Sequence, residues 1–182
     1  VFLLAIPCTV GLFLLSTPIL LTLFNHGQFS VTDVNQASLS LKAFSLGLLF
    51  FMLTKVLVSV YYSQKNIKTP VKYAVLCVSV NILLNIIWVR YFAHVGIALA
   101  SSAAALLNVL LLWRGLVKSK ILQNYFSLSW ILFAGRVFIS SGIMAACIHI
   151  LTPSLDLWPQ MGIFSQLLYL SGIIGVGGLI YF

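Results

Sequence analysis

Long, nearly unbroken apolar runs, separated by short polar connections, constrain this chain more than any motif does. Hydrocarbon offers no water to backbone N–H and C=O groups, so a segment that crosses a bilayer must be a helix or part of a closed barrel. A barrel strand alternates apolar and polar residues, whereas these runs are continuous. A spanning helix needs about 20 mainly apolar residues, and the chain holds six such segments. They run from about Val1 to Leu23, Ala43 to Tyr62, Val71 to Val89, Gly96 to Trp113, Leu128 to Leu151, and from Ile163 onward. The expected fold is an all-α integral membrane protein with six transmembrane helices. Both Val1 and Phe182 fall inside apolar runs, so the chain is expected to be a piece of a larger membrane protein.

The longest polar interruption is Tyr61–Lys72. Its lysines, Lys65, Lys68 and Lys72, place it on the cytoplasmic side by the positive-inside rule. Pro70 suits the first position of a helix, and Thr69 before it is positioned to cap the free N–H groups. The connection at 114–127 carries Arg114, Lys118 and Lys120, and is cytoplasmic by the same rule. The connections assigned outside, at 25–29, 90–94 and 152–159, hold only Arg90 among Lys and Arg. Ser30 and Asp33 have the spacing of a capping box and are expected to open a helix that lies on the outer surface before entering the membrane near Ala43.

A net charge of +8 would suggest nucleic acid in a soluble protein. Here the cations sit at helix ends, where they set topology and face anionic lipid, so no nucleic-acid partner is expected. Cys8, Cys77 and Cys147 lie in apolar runs without metal-ligand spacing and read as small buried hydrophobes.

Hydrolytic chemistry has little to work with. The chain has no Glu, its two Asp residues are in outer segments, and His26, His94 and His149 are far apart. An enzyme is not expected. Lys55 stands out: it precedes Lys65 by about 15 Å of helix, a depth at which a bare ammonium costs about 2.5–3.5 kcal/mol. Either it faces a hydrated cavity and meets anionic substrate, or it snorkels inward. Arg136, about 12 Å into its helix, fits snorkelling better. Asn81 and Asn85 share a helix face, and in a hairpin turning near Ala93 they lie at a depth similar to Ser101. Such amides and hydroxyls serve as interhelical glue or as oxygen ligands for a small cation. Gly96, Ala100, Ala104 and Asn108 form a small-residue seam. Gly172, Gly175, Gly177 and Gly178 thin one face of the last helix, for packing or for a groove that admits a lipid chain.

Residues Tyr62–Lys72, ending in Lys68-Thr69-Pro70-Val71-Lys72, resemble the F-Y-A-R-Q-D/N-x-K/R-T-P-V-K signature of the MurJ (MviN) lipid II flippases. Phe24-Asn25-His26-Gly27-Gln28-Phe29-Ser30 with Asp33 is similar to the family's F-x-R-G-x-F-T-x-x-D. Phe44-Ser45-Leu46-Gly47-Leu48 and, imperfectly, Thr54-Lys55-Val56-Leu57 resemble its S-L-G-L and V-K-V-L. His94-Val95-Gly96-Ile97-Ala98-Leu99-Ala100-Ser101-Ser102, with Leu107-Asn108, resembles H-x-G-L-A-L-A-T-S and a later L-N. The match holds in register from about Ile6 to Trp113; the last two helices match in hydropathy and order.

The resemblance implies a bacterial inner-membrane transporter of the MOP exporter superfamily, with about fourteen helices, that flips the undecaprenyl-diphosphate-linked peptidoglycan precursor by alternating access. Residues 1–117 would be the last four helices of its second lobe, and 118–182 two additional helices that shape a groove for the lipid tail, with Gly172 and Gly175 as its candidates. The partners implied are the lipid-linked precursor, membrane lipids and an N-terminal lobe of the same protein. That lobe holds most of the family's diphosphate-binding arginines, so none is carried over. Lys55 is the candidate cavity charge on this half. No cofactor is implied beyond Na⁺, which some members bind; by register its ligands fall on Asn81, Asn85, the Ile97 carbonyl and Ser101. The second of these positions is acidic in sodium-binding members, and Asn85 is neutral. The competing readings are another exporter of the superfamily, for polysaccharide-lipids or for drugs, and a membrane scaffold that transports nothing.

The orientation is testable directly. A cysteine placed at Asn66, in a background lacking the native cysteines, is expected to resist membrane-impermeant thiol reagents in intact cells and to react once the membrane is opened.

Overall fold

The computed structural model describes residues 2–24, 31–119, 128–152 and 162–181. All regular structure there is helical, and five helices are long and apolar enough to cross a membrane. They are α1 (Phe2–Phe24), α2 (Val31–Ser63), α3 (Lys68–Lys118), α4 (Leu128–Leu151) and α5 (Ile163–Tyr181). The expected loop at 25–29 and most of those at 114–127 and 152–159, with Ser30 of the proposed capping box, lie outside the described residues; Arg114–Lys118, expected in the second of these loops, continue α3.

Two sequence expectations are corrected by α2 and α3. The segment before Ala43 is not a separate surface helix: α2 is a single helix of 33 residues, about 50 Å long against roughly 30 Å of hydrocarbon. Its polar start is the first turns of the spanning rod. Likewise, the segments at 71–89 and 96–113 are joined in one 51-residue element, in which Ala93 (φ 46°, ψ −126°) is non-helical. The five-residue outer turn expected at 90–94 contracts to that break.

The break folds α3 back on itself. A Cβ at Gly115 would stand 3.4 Å from the Tyr73 ring, and one at Gly96 would stand 2.5 Å from the Trp88 carbonyl oxygen. In a straight helix Tyr73 and Gly115 would be about 63 Å apart. The arms before and after Ala93 are therefore antiparallel, and Gly96 is where a side chain would prevent them from closing. A residue with a Cβ held in so sparsely populated a backbone region costs roughly 1–3 kcal/mol; the packing of the two arms holds it in place.

At the opposite end, α2 closes in a Schellman motif. Lys65 is left-handed (φ 57°), its N–H donates to the Tyr62 carbonyl at 2.9 Å, and the Asn66 N–H donates to the Tyr61 carbonyl at 3.1 Å. Glycine usually fills that left-handed position. Asn66, and not Thr69 as expected, caps α3: its Oδ1 accepts from the Thr69 N–H at 3.3 Å and from Thr69 Oγ1 at 3.0 Å. Pro70 then falls within the first turn, where its missing N–H had no helical partner to lose. No acid occupies that turn, so Lys68 opposes the helix macrodipole at about 0.3–1 kcal/mol.

Two hydroxyls hold α2 alongside the second arm of α3, running in the same direction. Ser102 Oγ donates to the Ala43 carbonyl at 2.7 Å, and Tyr61 OH donates to the Leu112 carbonyl at 3.0 Å. Each sits over a glycine one turn from the accepting carbonyl: Gly47 faces Ser102, and Gly115 faces the Tyr61 hydroxyl. Leu57, Tyr61, Leu112 and Leu116 form the buried core between these helices. A second core gathers Leu15 and Leu21 of α1, Val34 of α2, Met144 and Ile148 of α4, and Leu170 and Ile173 of α5. The helices α4 and α5 pack on each other and on α1, with Ser140 Oγ donating to the Tyr181 carbonyl at 3.0 Å.

The notch at Gly115 yields a stability test. Gly115→Ala puts a methyl against the Tyr61 hydroxyl and is expected to cost about 1–3 kcal/mol in thermal unfolding of the intact protein. On a Tyr61→Phe background that cost should shrink, because the colliding oxygen is gone.

Candidate functional site

The sequence candidates fall on three parts of the fold. Lys55 lies two turns before the end of α2, and its side chain is exposed. Its carbonyl accepts from Ser59 Oγ at 2.9 Å, a bond that ties Ser59 back into its own helix. The face of α2 opposite Lys55 is the one packed against α3 through Leu57 and Tyr61, so the ammonium projects away from this chain's own core.

Asn81 and Asn85 are on the first arm of α3, and Ile97 and Ser101 on the second. Asn85 is eight residues before Ala93 and Ser101 eight after it, so the hairpin sets both at a matching distance from the bend. Each pair is joined internally. Asn85 Nδ2 donates to Asn81 Oδ1 at 2.6 Å, and Ser101 Oγ donates to the Ile97 carbonyl at 3.0 Å. Asn85 Oδ1 is buried without a hydrogen-bond partner, the state that a water molecule or a cation relieves. The donor types thus suit a small hard cation, which takes oxygen ligands. The charge suits it less well: none of the four groups is a carboxylate, so binding has only dipoles to set against desolvation of the ion.

The third part is an apolar groove of about 240 Å³ between the end of α4 and the first half of α5, lined by Leu151, Leu168, Tyr169, Gly172, Ile173 and Val176. Of the two glycine candidates, Gly172 lines it and Gly175 does not. At 100° per residue, Gly175 lies just past the edge of the stripe from Leu168 to Val176. The seam glycines divide the work in a way their spacing did not reveal. A Cβ at Gly172 would meet nothing within 4 Å, whereas one at Gly177 would stand 3.3 Å from Ile148 Cδ1. Gly172 opens the groove, and Gly177 lets α4 and α5 approach. The volume is below the 300–1,000 Å³ of a small-molecule pocket and has the lining of a slot for part of an alkyl chain.

Sequence reasoning missed the bulky lining residues Leu151, Leu168 and Tyr169. Their α5 members recur at i, i+4 and i+5 with Gly172 and Ile173, a stripe that hydropathy alone cannot separate from lipid-facing residues. It also missed Asn108 Oδ1 and Ser141 Oγ, which are likewise buried without a partner. Among the described residues no group of three or more His, Cys, Asp or Glu side chains is placed to hold a metal.

The two glycines make a paired prediction. Gly172→Leu should shift the unfolding free energy by no more than about 0.5 kcal/mol, the range of substitutions that disturb no packing. Gly177→Leu should destabilise by about 1–3 kcal/mol. Equal losses in calorimetry would remove the distinction drawn between them.

Residues 1–169 match the family model described as lipid II flippase MurJ. The probable lipid II flippase MurJ of Vibrio cholerae is 40% identical over 96% of the chain and 33% of its own length. That of Haemophilus influenzae is 37% identical over 100% of the chain and 35% of its own. The chain thus spans about a third of the length of these curated relatives. A solved lipid II flippase MurJ in an inward closed conformation superposes with a TM-score of 0.73 at 30% identity, covering 99% of this chain and 36% of that one. An all-helical, multi-pass membrane chain that matches relatives of this one kind along nearly its whole length belongs to the MurJ lipid II flippase family.

Proposed function

We propose that this chain is the C-terminal part of an inner-membrane transporter that moves the lipid-linked peptidoglycan precursor across the bilayer for cell-wall synthesis. The observation that carries this is the agreement of nearly the whole backbone with the solved inward-closed flippase, at an identity where fold and role are commonly shared. On this reading the two arms of α3 each cross the membrane, giving six crossings of about fourteen in the whole protein. Residues 1–117 complete the second lobe, and 118–182 add the pair that carries the tail groove. On this reading the added pair docks on the second lobe through α1 and Val34 of α2, where α4 and α5 share a core with them.

The work is binding and gating, and no covalent chemistry is required of the chain. A charged head group cannot cross hydrocarbon unaided, so it passes through a cationic cavity between two lobes that rock about it, while the polyprenyl tail remains in lipid. Lys55, exposed on α2 and pointing away from the α2–α3 core, is the cavity charge contributed by this half. The groove beside Gly172 receives a stretch of the tail. Asn81, Asn85, the Ile97 carbonyl and Ser101 would hold Na⁺, and the unpartnered Asn85 Oδ1 is the atom that most favours it. When bound, that ion would supply buried positive charge linked to the sodium gradient. The carboxamide pair bonds along the first arm of α3 and the hydroxyl pair along the second, whether or not it is present.

The test is a flipping assay on the full-length protein. Lys55→Ala is expected to lower the rate of precursor translocation by about tenfold, the loss that follows from one contact to a charged group worth about 1.5 kcal/mol, with normal expression and membrane insertion. Wild-type flipping by this variant would remove Lys55 from the mechanism.

A further inference from the structure

The notch at Gly115 does more than pack helices: it gathers cations. Tyr61 near the end of α2, Tyr73 near the start of α3 and Gly115 near the end of α3 meet there. Lys65 follows Tyr61 by one turn, Lys72 adjoins Tyr73, Arg114 adjoins Gly115, Lys118 is one turn beyond, and Lys68 opens α3. All five side chains are exposed. Among the described residues the one carboxylate side chain, Asp33, is in the first turn of α2, at the far end of that helix from Lys65, so no described acid lies beside the group.

Topology alone does not require this arrangement. The positive-inside rule asks for lysine or arginine in the connection; it is indifferent to the position each takes. Here two of the cations occupy places that the backbone disfavours. Lys65 holds the left-handed residue of a Schellman motif, where glycine is the usual occupant. Lys68 stands in the first turn of α3, with no acid beside it, at the positive end of the macrodipole. Arg114 and Lys118, near the carboxyl end of the same helix, are placed as the dipole prefers. The combined result is a concentrated positive field at one end of the α2–α3 unit, unrelieved by any acid among the described residues.

We propose that these five residues form a docking surface for anionic phospholipid head groups of the cytoplasmic leaflet, with Lys65, Lys68 and Lys72 as its centre. Phosphates lie at the depth where the helices end, and juxtamembrane lysines and arginines are attracted to anionic lipid individually and additively. Tyr62, exposed at the same level, supplies the amphipathic ring that interfaces favour. The surface depends on the cytoplasmic placement of this end and not on what the protein transports.

The experiment uses the full-length protein in phosphatidylcholine vesicles carrying a trace of spin-labelled phosphatidylglycerol or spin-labelled phosphatidylcholine. The protein-contacting fraction of each probe is read by electron paramagnetic resonance. Wild type should hold the phosphatidylglycerol probe at least about twofold more strongly, and the preference should vanish near 1 M salt, where the screening length falls to about 3 Å. The Lys65→Gln/Lys68→Gln/Lys72→Gln variant should lose most of the preference; the corresponding Lys→Arg triple variant should keep it. Lys42→Gln with Arg90→Gln, outside this cluster, should leave it unchanged. If the glutamine triple variant does not assemble, Arg114→Gln/Lys118→Gln and the wild-type salt titration carry the test. Equal affinity for both probes in wild type, a preference that survives 1 M salt, or one retained after neutralisation would overturn the proposal. Lipid contact is read independently of flipping, so a failure of the docking surface and a failure of the transport reading are told apart.

Discussion

A hydrocarbon solvent accepts no unpaired backbone polar group, and this constraint shapes every helix of the chain. It makes α1 to α5 long and continuous, because each backbone N–H and C=O must be satisfied within its own rod. It also removes the hydrophobic drive that would press helices together in water, leaving contact between surfaces and a few hydrogen bonds to do so. The α2–α3 unit meets that need with glycine and hydroxyl pairs. Gly47 admits Ser102 and Gly115 admits Tyr61, and each hydroxyl then donates to a carbonyl on the neighbouring helix. Such a bond averages only about 0.6 kcal/mol in a membrane, so the larger effect is close approach. Removing the glycine's hydrogen-sized face would cost more than removing the hydroxyl.

The all-helical, multi-pass character of the chain was legible in the sequence because it is a one-dimensional signal, the length of the apolar runs. The family was legible at Lys68-Thr69-Pro70-Val71-Lys72, where several uncommon choices follow one another. What escaped the sequence depends on backbone conformation. Thr69 and Asn66 are both good capping residues, and only the left-handed turn at Lys65 brings Asn66 Oδ1 onto the Thr69 N–H. The break at Ala93 was placed correctly as a turn centre, but its tightness was not, since nothing in Phe92-Ala93-His94 announces a positive φ. The glycines show the same limit. Gly172 and Gly177 look alike on a hydropathy profile, and their roles separate only once Ile148 is known to face one of them.

For Lys55 the sequence supplied depth and the structure supplied direction. Depth alone left snorkelling and cavity lining in balance. Direction takes the side chain out of the α2–α3 core, which excludes packing against α3 and is met equally by a hydrated cavity and by the lipid face. An ammonium between two lobes is hydrated whenever the cavity is open, which lowers the cost of holding it at that depth. One that faced lipid would have to reach the interface with its own stem.

The two polar pairs on α3 have opposite energetic standing. Ser101 and Ile97 form a bond that any isolated helix can make, indifferent to the neighbouring arm. Asn81 and Asn85 also bond along one arm, but they leave Asn85 Oδ1 buried and unpaired, an arrangement that costs about 1–3 kcal/mol. Whatever relieves that atom therefore gains more than an exposed contact would.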